Sequence, residues 1–189
     1  MTIMTNTAIL RAAVYATVAH GEIGHTRKYP ISDTNENKLP YIVHPLEVAE
    51  RVARAGGDVD MIVAAILHDV VEDTLRTIED IEREFGAEVA RLVAGLTDVS
   101  KPEDGNRKVR KEMDRVHLSH GCYKIQTVKL ADVLCNGYDI MEKDPGFAFR
   151  YMREIRDLVA TLHNGDAVLH AEASHMVSAF FERVGEKTA

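Results

Sequence analysis

The chain has 189 residues, 46% of them hydrophobic and 28% charged, and 23 Lys and Arg against 30 Asp and Glu leave a formal charge of −7. That apolar fraction excludes a disordered chain, and the acidic balance argues against nonspecific nucleic-acid binding, which needs a basic face. The longest apolar run, Met61 to Leu67, is far short of the roughly 20 residues a membrane-spanning helix needs.

Helical spacing dominates the chain. Thr7 to His20 carries Ile9, Leu10, Ala13, Val14 and Val18 three or four residues apart, and reads as the first helix. Arg11 breaks its apolar stretch and no basic segment precedes it, so it does not read as a secretory signal. Tyr29 to Pro40 is polar, with a proline towards each side, and reads as a loop. His44-Pro45 opens a helix with Pro in its first turn, and Gly56-Gly57 closes it. Asp58 caps the next helix, whose Met61 to Leu67 run is hydrophobic all round and therefore buried. Thr77 to Asp80 resembles a capping box for a short helix ending at Gly86, and Ala87 to Leu96 follows. Thr97 to Asn106 is a loop. Further helices are expected at Arg107 to Ser119, Tyr123 to Met141, Pro145 to His163 and Ala167 to Val184. No stretch alternates with period two, no repeat is present, and no linker splits the chain. The expectation is a single all-α domain over residues 1–189, a compact helical bundle. Two cysteines make no disulfide framework, so Cys122 and Cys135 read as thiols of a reducing compartment, and the chain as cytoplasmic.

Chemistry concentrates in Ala65 to Asp73, where His68, Asp69, Glu72 and Asp73 stand at the end of the expected core helix. Residues four apart share a helix face, which sets His68 over Glu72 and Asp69 over Asp73. Ionisable groups beside a buried run are costly unless compensated, and a divalent cation compensates them well. Imidazole with carboxylate suits Mn, Fe or Zn. His44 leaves the apolar Tyr41-Ile-Val43 where a helix begins, directed inward. Asp132 sits inside the apolar Val128 to Leu134, on one stripe with Lys129 and Asn136. A Lys129–Asp132 salt bridge is the simpler account of that stripe and is compatible with metal ligation. Two basic concentrations stand out against the acidic balance, four Arg or Lys among the five residues Arg107 to Lys111 and the pair Arg27-Lys28, although such a run is ordinarily a solvated face.

The order His44, His68-Asp69, Asp132 resembles the HD superfamily of metal-dependent phosphohydrolases. Pro40 to Pro45, Leu67 to Thr74, Phe85-Gly86 through Leu96-Thr97, and Val128 to Asp132 with Asn136 are similar to the hydrolase domain of RelA/SpoT proteins. With no synthetase or regulatory domain, the chain is similar to small alarmone hydrolases of the metazoan SpoT homologue type. The resemblance covers about residues 19–140, and the helices over 145–184 match only in being helical.

The resemblance implies an HD-domain helical bundle and one metal, usually manganese, held by His44, His68, Asp69 and Asp132. It assigns Glu72 and Asp73 to positioning and activating the attacking water. Arg27, Lys28, Lys129, Asn136, Arg110 and Lys111 become substrate-binding candidates. The implied reaction removes pyrophosphate from the 3′ position of guanosine 3′,5′-bis(diphosphate), or of the pentaphosphate, giving GDP or GTP. His20 fits the family's Ala-His pair, whereas the other histidines read as surface or structural residues. Val133 and Cys135 stand where the usual pattern has a basic residue and a His or Tyr, and Tyr138 replaces a frequent Arg. These departures keep two alternatives in view: the same scaffold acting on the 2′-phosphate of NADPH or on a deoxynucleoside triphosphate, and a binding module that senses alarmone without cleaving it. The expected partner is a small nucleotide rather than nucleic acid or membrane, and a homo-oligomer stays open.

Overall fold

A computed structural model describes residues 3–32 and 35–185. The chain divides into two compact units, Met1–Thr97 and Asp98–Ala189.

The first unit is organised around one buried helix. α1 (Ile3–Glu22) presents Ala12, Ala16 and Ala19 inward at helical spacing. α2 (Val43–Arg54) buries His44, Pro45, Val48, Ala49 and Val52. α3 (Val59–Leu67) is capped by Asp58, whose side chain accepts from the Met61 amide at 2.9 Å, and it packs against both α1 and α2. Its Met61 and Val63 to Leu67 are buried, as an all-round apolar run requires.

Two expectations are corrected here. The polar segment expected as a loop over Tyr29 to Pro40 belongs instead to a two-stranded antiparallel hairpin, β1 (Thr26–Ser32) and β2 (Asn35–Pro40). Thr26 pairs with Pro40 and Pro30 with Lys38, with register shifts between the pairs. Lys28, Lys38 and Leu39 are exposed, and charged or polar residues dominate both strands, so no period-two apolar pattern marks them as strands in sequence. Residues 33 and 34 of that segment lie outside the described residues. Second, the helix does not run through His68 to Asp73. α3 stops at Leu67, His68 and Asp69 form a turn, and α4 (Val70–Asp73) follows. Nδ1 of His68 donates to the Ala65 carbonyl at 2.8 Å, a side-chain bond that competes with helical pairing at that carbonyl.

Beyond α4, the Thr77–Asp80 capping box starts α5 (Ile78–Phe85) as expected. Gly86, at φ 89°, turns the chain into α6 (Ala87–Leu96), which packs on α3 and α5.

The second unit opens with a 3₁₀ turn (Pro102–Asp104) and α7 (Arg107–Ser119), capped by Asn106. α8 (Tyr123–Lys143) is its core and contacts α7, α9 (Pro145–Val159) and α10 (Ala167–Val184). Gln126, fully buried on α8, is satisfied by three bonds. Its amide donates to the carbonyls of Leu118 and Ser119, and its oxygen accepts from the Asn164 amide at 2.8 Å. α9 ends at Val159 rather than at His163, and that last bond ties the segment after it to α8. The chain leaves the helix to lie against α8, and a Cβ at Gly165 would fall 2.7 Å from Leu130 and 3.0–3.1 Å from the Gln126 and Thr127 backbone. Gly165→Ala is therefore expected to destabilise by about 1–3 kcal/mol, the usual cost of overpacking. A melting curve reads this as roughly 2–4 °C of Tm per kcal/mol. Gly137→Ala should cost less, because there the obstruction is the end of the flexible Met176 side chain.

Candidate active site

Two segments of the first unit deliver one cluster. His44, in the first turn of α2, is 3% exposed, and His68, just past α3, is 4% exposed. Asp69, the second residue of the turn, is half-buried. Among the described residues, ligand atoms of these three lie within 4.8 Å of one another. Oδ2 of Asp69 is 3.1 Å from Nε2 of His68 and 3.8 Å from Nε2 of His44. Because the carbonyl of Ala65 can only accept, the His68 proton sits on Nδ1, which makes Nε2 the lone-pair nitrogen. Two imidazoles and a carboxylate converging in a buried corner suit a divalent transition-metal ion.

Around this cluster stands a ring of groups of which sequence reasoning noticed only part. Tyr41 donates from its hydroxyl to Oδ2 of Asp69. Its ring stacks on His25, with centroids 3.8 Å apart and planes 11° from parallel, and lies 4.6 Å from the His20 ring. His20 is buried beside His25, their Nδ1 atoms 3.3 Å apart. Burial, and then the neighbouring His25, depress the His20 pKa to about 4, so it is neutral near pH 7. The signal that could have found Tyr41 is its place in Pro40-Tyr-Ile-Val-His44, three residues before an inward-facing His.

Glu72 and Asp73, on α4, are exposed rather than buried with the histidines. Asp73 lies 3.8 Å from Nδ1 of His25. Partial desolvation, reinforced by the Asp69 carboxylate, raises its pKa above the usual carboxylate value, which favours proton acceptance. Arg27 is paired with Glu47 of α2 at 2.6 Å, and Lys28 stands over the Tyr29 ring at 4.9 Å.

The remaining candidates lie in the second unit. Asp132, 5% exposed, holds Lys129 on Oδ2 at 2.8 Å and Asn136 on Oδ1 at 2.6 Å, so the stripe read from the sequence is a working network. These residues line a cavity of about 600 Å³ between α7, α8 and α9. Lys111 lines it too, bound to Asp98 at 2.8 Å and near Asp114 at 3.5 Å. Burial opposes ionisation of Asp98, but Lys129 and Lys111 outweigh it and hold its pKa below the usual value. Arg110 is half-buried and is not among the lining residues; its Nε is buried with no hydrogen-bond partner.

The structure adds Lys108, Arg150 and Tyr151 to the cavity wall. Arg107 is tied to Glu154 through two bonds of 2.7 and 2.8 Å, whereas Lys108 and Arg150 make no ion pair among the described residues. Burial, followed by Asp132, pushes the Tyr151 phenol up and keeps it a proton donor. Three-to-four spacing of Arg150, Tyr151, Glu154 and Asp157 on α9 was the sequence signal for this wall.

Comparison with known proteins follows the same lines. An HD domain family model matches residues 24–168. The Xenopus tropicalis guanosine-3′,5′-bis(diphosphate) 3′-pyrophosphohydrolase MESH1 is 35% identical over 175 residues, covering 89% of this chain and 92% of that protein. The Aquifex aeolicus guanosine-3′,5′-bis(diphosphate) 3′-pyrophosphohydrolase is 38% identical over 128 residues, which span 68% of this chain and 17% of that longer protein. Among solved structures, a metazoan ortholog of SpoT described as hydrolysing ppGpp superposes with a TM-score of 0.77 at 25% identity, over 94% of this chain and 96% of that one.

Proposed function

The chain belongs to the HD domain family of metal-dependent hydrolases, and from that membership we propose that it removes pyrophosphate from the 3′ position of guanosine 3′,5′-bis(diphosphate) or the pentaphosphate. The observation that carries this reading is the convergence of the buried His44 and His68 with the half-buried Asp69. The activity named for relatives that match most of the chain directs that chemistry to the alarmone. We propose the whole chain as a single HD-type domain, which the family match over 24–168 supports.

His44, His68 and Asp69 would hold the metal, with Asp132 as the fourth ligand on the strength of the sequence motif. We propose manganese among the divalent ions that a mixed nitrogen and oxygen set accepts. The bound ion supplies Lewis acidity toward phosphoryl oxygen and lowers the pKa of water. Glu72, with Asp73 beside it, takes the proton from the water that attacks the 3′-phosphorus. The bond from that phosphorus to O3′ breaks, a proton reaches O3′, and pyrophosphate leaves. Lys129 and Asn136 fix the Asp132 carboxylate and, with Lys111, remain proposed substrate contacts. Arg27 and Lys28 are proposed near the base and sugar. Arg110 is the weakest of the set, since it is not on the cavity wall. The proposed setting is the cytoplasm; among the described residues no helix is long and apolar enough to cross a membrane.

Arg150 joins the list from the structure. A phosphate-contacting Arg contributes about 1.5–3 kcal/mol through charge-assisted bonds. Arg150→Ala is therefore expected to lower kcat/KM by roughly 10- to 150-fold. The loss should persist at high salt, where a merely steering charge would be screened. A wild-type kcat/KM at both salt concentrations would remove Arg150 from the site.

Another nucleotide is favoured by one observation. Val133 lines the cavity where the family pattern has a basic residue, so the wall is poorer in positive charge there. A screen of purified protein with manganese separates the readings. Pyrophosphate from the guanosine bis(diphosphate) supports the proposal. Orthophosphate from NADPH or triphosphate from deoxynucleotides, with the alarmone untouched, would overturn it. Tight alarmone binding without turnover would identify a sensor.

A further inference from the structure

Tyr41 stands between the hairpin and α2, held on three sides. Its amide donates to the His25 carbonyl at 3.3 Å, its ring lies flat against the His25 imidazole, and the His20 ring closes another edge. The phenol so placed donates to Oδ2 of Asp69, the same oxygen that faces Nε2 of both His68 and His44. Packing explains the ring; it does not explain a hydroxyl aimed at the cluster's one carboxylate. We infer that Tyr41 is a positioning residue that fixes the rotation of the Asp69 carboxylate for metal binding, with His25 stacked behind it as a brace. The inference rests on the proposed metal centre.

The physical reason is preorganisation. Asp69 sits in a two-residue turn between helices, and its carboxylate must present one oxygen to the site. A hydrogen bond from a braced phenol restricts that rotation before the cation arrives. Outer partners of this kind are typically worth 10- to 100-fold in metal affinity. The carboxylate–phenol bond also needs no change in charge to form, since the tyrosine only donates.

The test is titration of metal-stripped, full-length protein with Mn²⁺ by calorimetry, comparing wild type, Tyr41→Phe, His25→Ala and His68→Ala. Tyr41→Phe removes only the hydroxyl and keeps the stacked ring. It should weaken Mn²⁺ binding by roughly 10- to 100-fold while the melting temperature of the metal-free protein stays at the wild-type value. His25→Ala should weaken binding in the same direction by less. Wild-type affinity in Tyr41→Phe overturns the inference, and so does an affinity loss matched by a fall in metal-free melting, which would make the hydroxyl structural. If His68→Ala loses Mn²⁺ while Tyr41→Phe keeps it, the metal centre stands and only the role of Tyr41 fails. If His68→Ala binds Mn²⁺ like wild type, the metal centre itself is wrong.

Discussion

His68→Ala and Asp69→Ala are each expected to lower hydrolysis by roughly three orders of magnitude or more. A metal's contribution to stabilising charge and activating water is worth several kcal/mol, and 1.36 kcal/mol corresponds to a factor of ten. Each variant removes a member of the one His/Asp cluster found among the described residues. Elemental analysis should show the metal lost in parallel with activity. The fold should persist, because α3 is held by Met61 and Val63 to Leu67 packing against α1, α2 and α6 rather than by the turn that follows. Helical circular dichroism checks that point. A normal metal load in His68→Ala would remove the proposed centre.

Glu72→Gln separates chemistry from binding. The substitution keeps size and hydrogen-bonding capacity but removes the base, so kcat should fall by roughly 10²- to 10⁴-fold. KM and metal content should move little, since Glu72 lies at the surface of α4 and is not one of the three clustered residues. Near-normal kcat in this variant would transfer the role to Asp73. Its pKa, raised by partial desolvation and by Asp69, makes it the next proton acceptor. The pH–rate profile of the variant tells the two apart. If Asp73 takes over, the acid limb should reflect its raised pKa and disappear in Asp73→Asn.

Much of this was legible in the sequence, for reasons that differ by element. Helices with recognisable caps declared themselves: Asp58 before α3 and Thr77 with Asp80 at α5. The pairing of His68 with Asp69, and the isolation of Asp132 among apolar neighbours, marked the chemistry because buried charge needs compensation. What the sequence hid was non-periodic. The strands β1 and β2 are written in mostly polar residues, so no hydrophobic alternation reveals them. The break at His68-Asp69 arises from a side chain competing for a backbone carbonyl, which leaves no trace in helical spacing. After α9 ends, Gln126 captures the Asn164 amide 38 residues away, a tertiary contact that no local pattern carries. Arg150 and Tyr151 share a face of α9 by their spacing, but only the packing of α9 beside α8 makes that face a cavity wall, and only the stack on His25 marks Tyr41.

The most direct test of the central claim is product analysis in ¹⁸O-labelled water with guanosine 3′,5′-bis(diphosphate) and manganese, read by ³¹P NMR for the phosphates and by mass spectrometry for GDP. Water attack at the 3′-phosphorus, with departure of O3′, puts one ¹⁸O into pyrophosphate and leaves unlabelled GDP with its 5′-diphosphate intact. Removal of the metal should abolish both products. Orthophosphate as the first product, or label in GDP, would contradict the account.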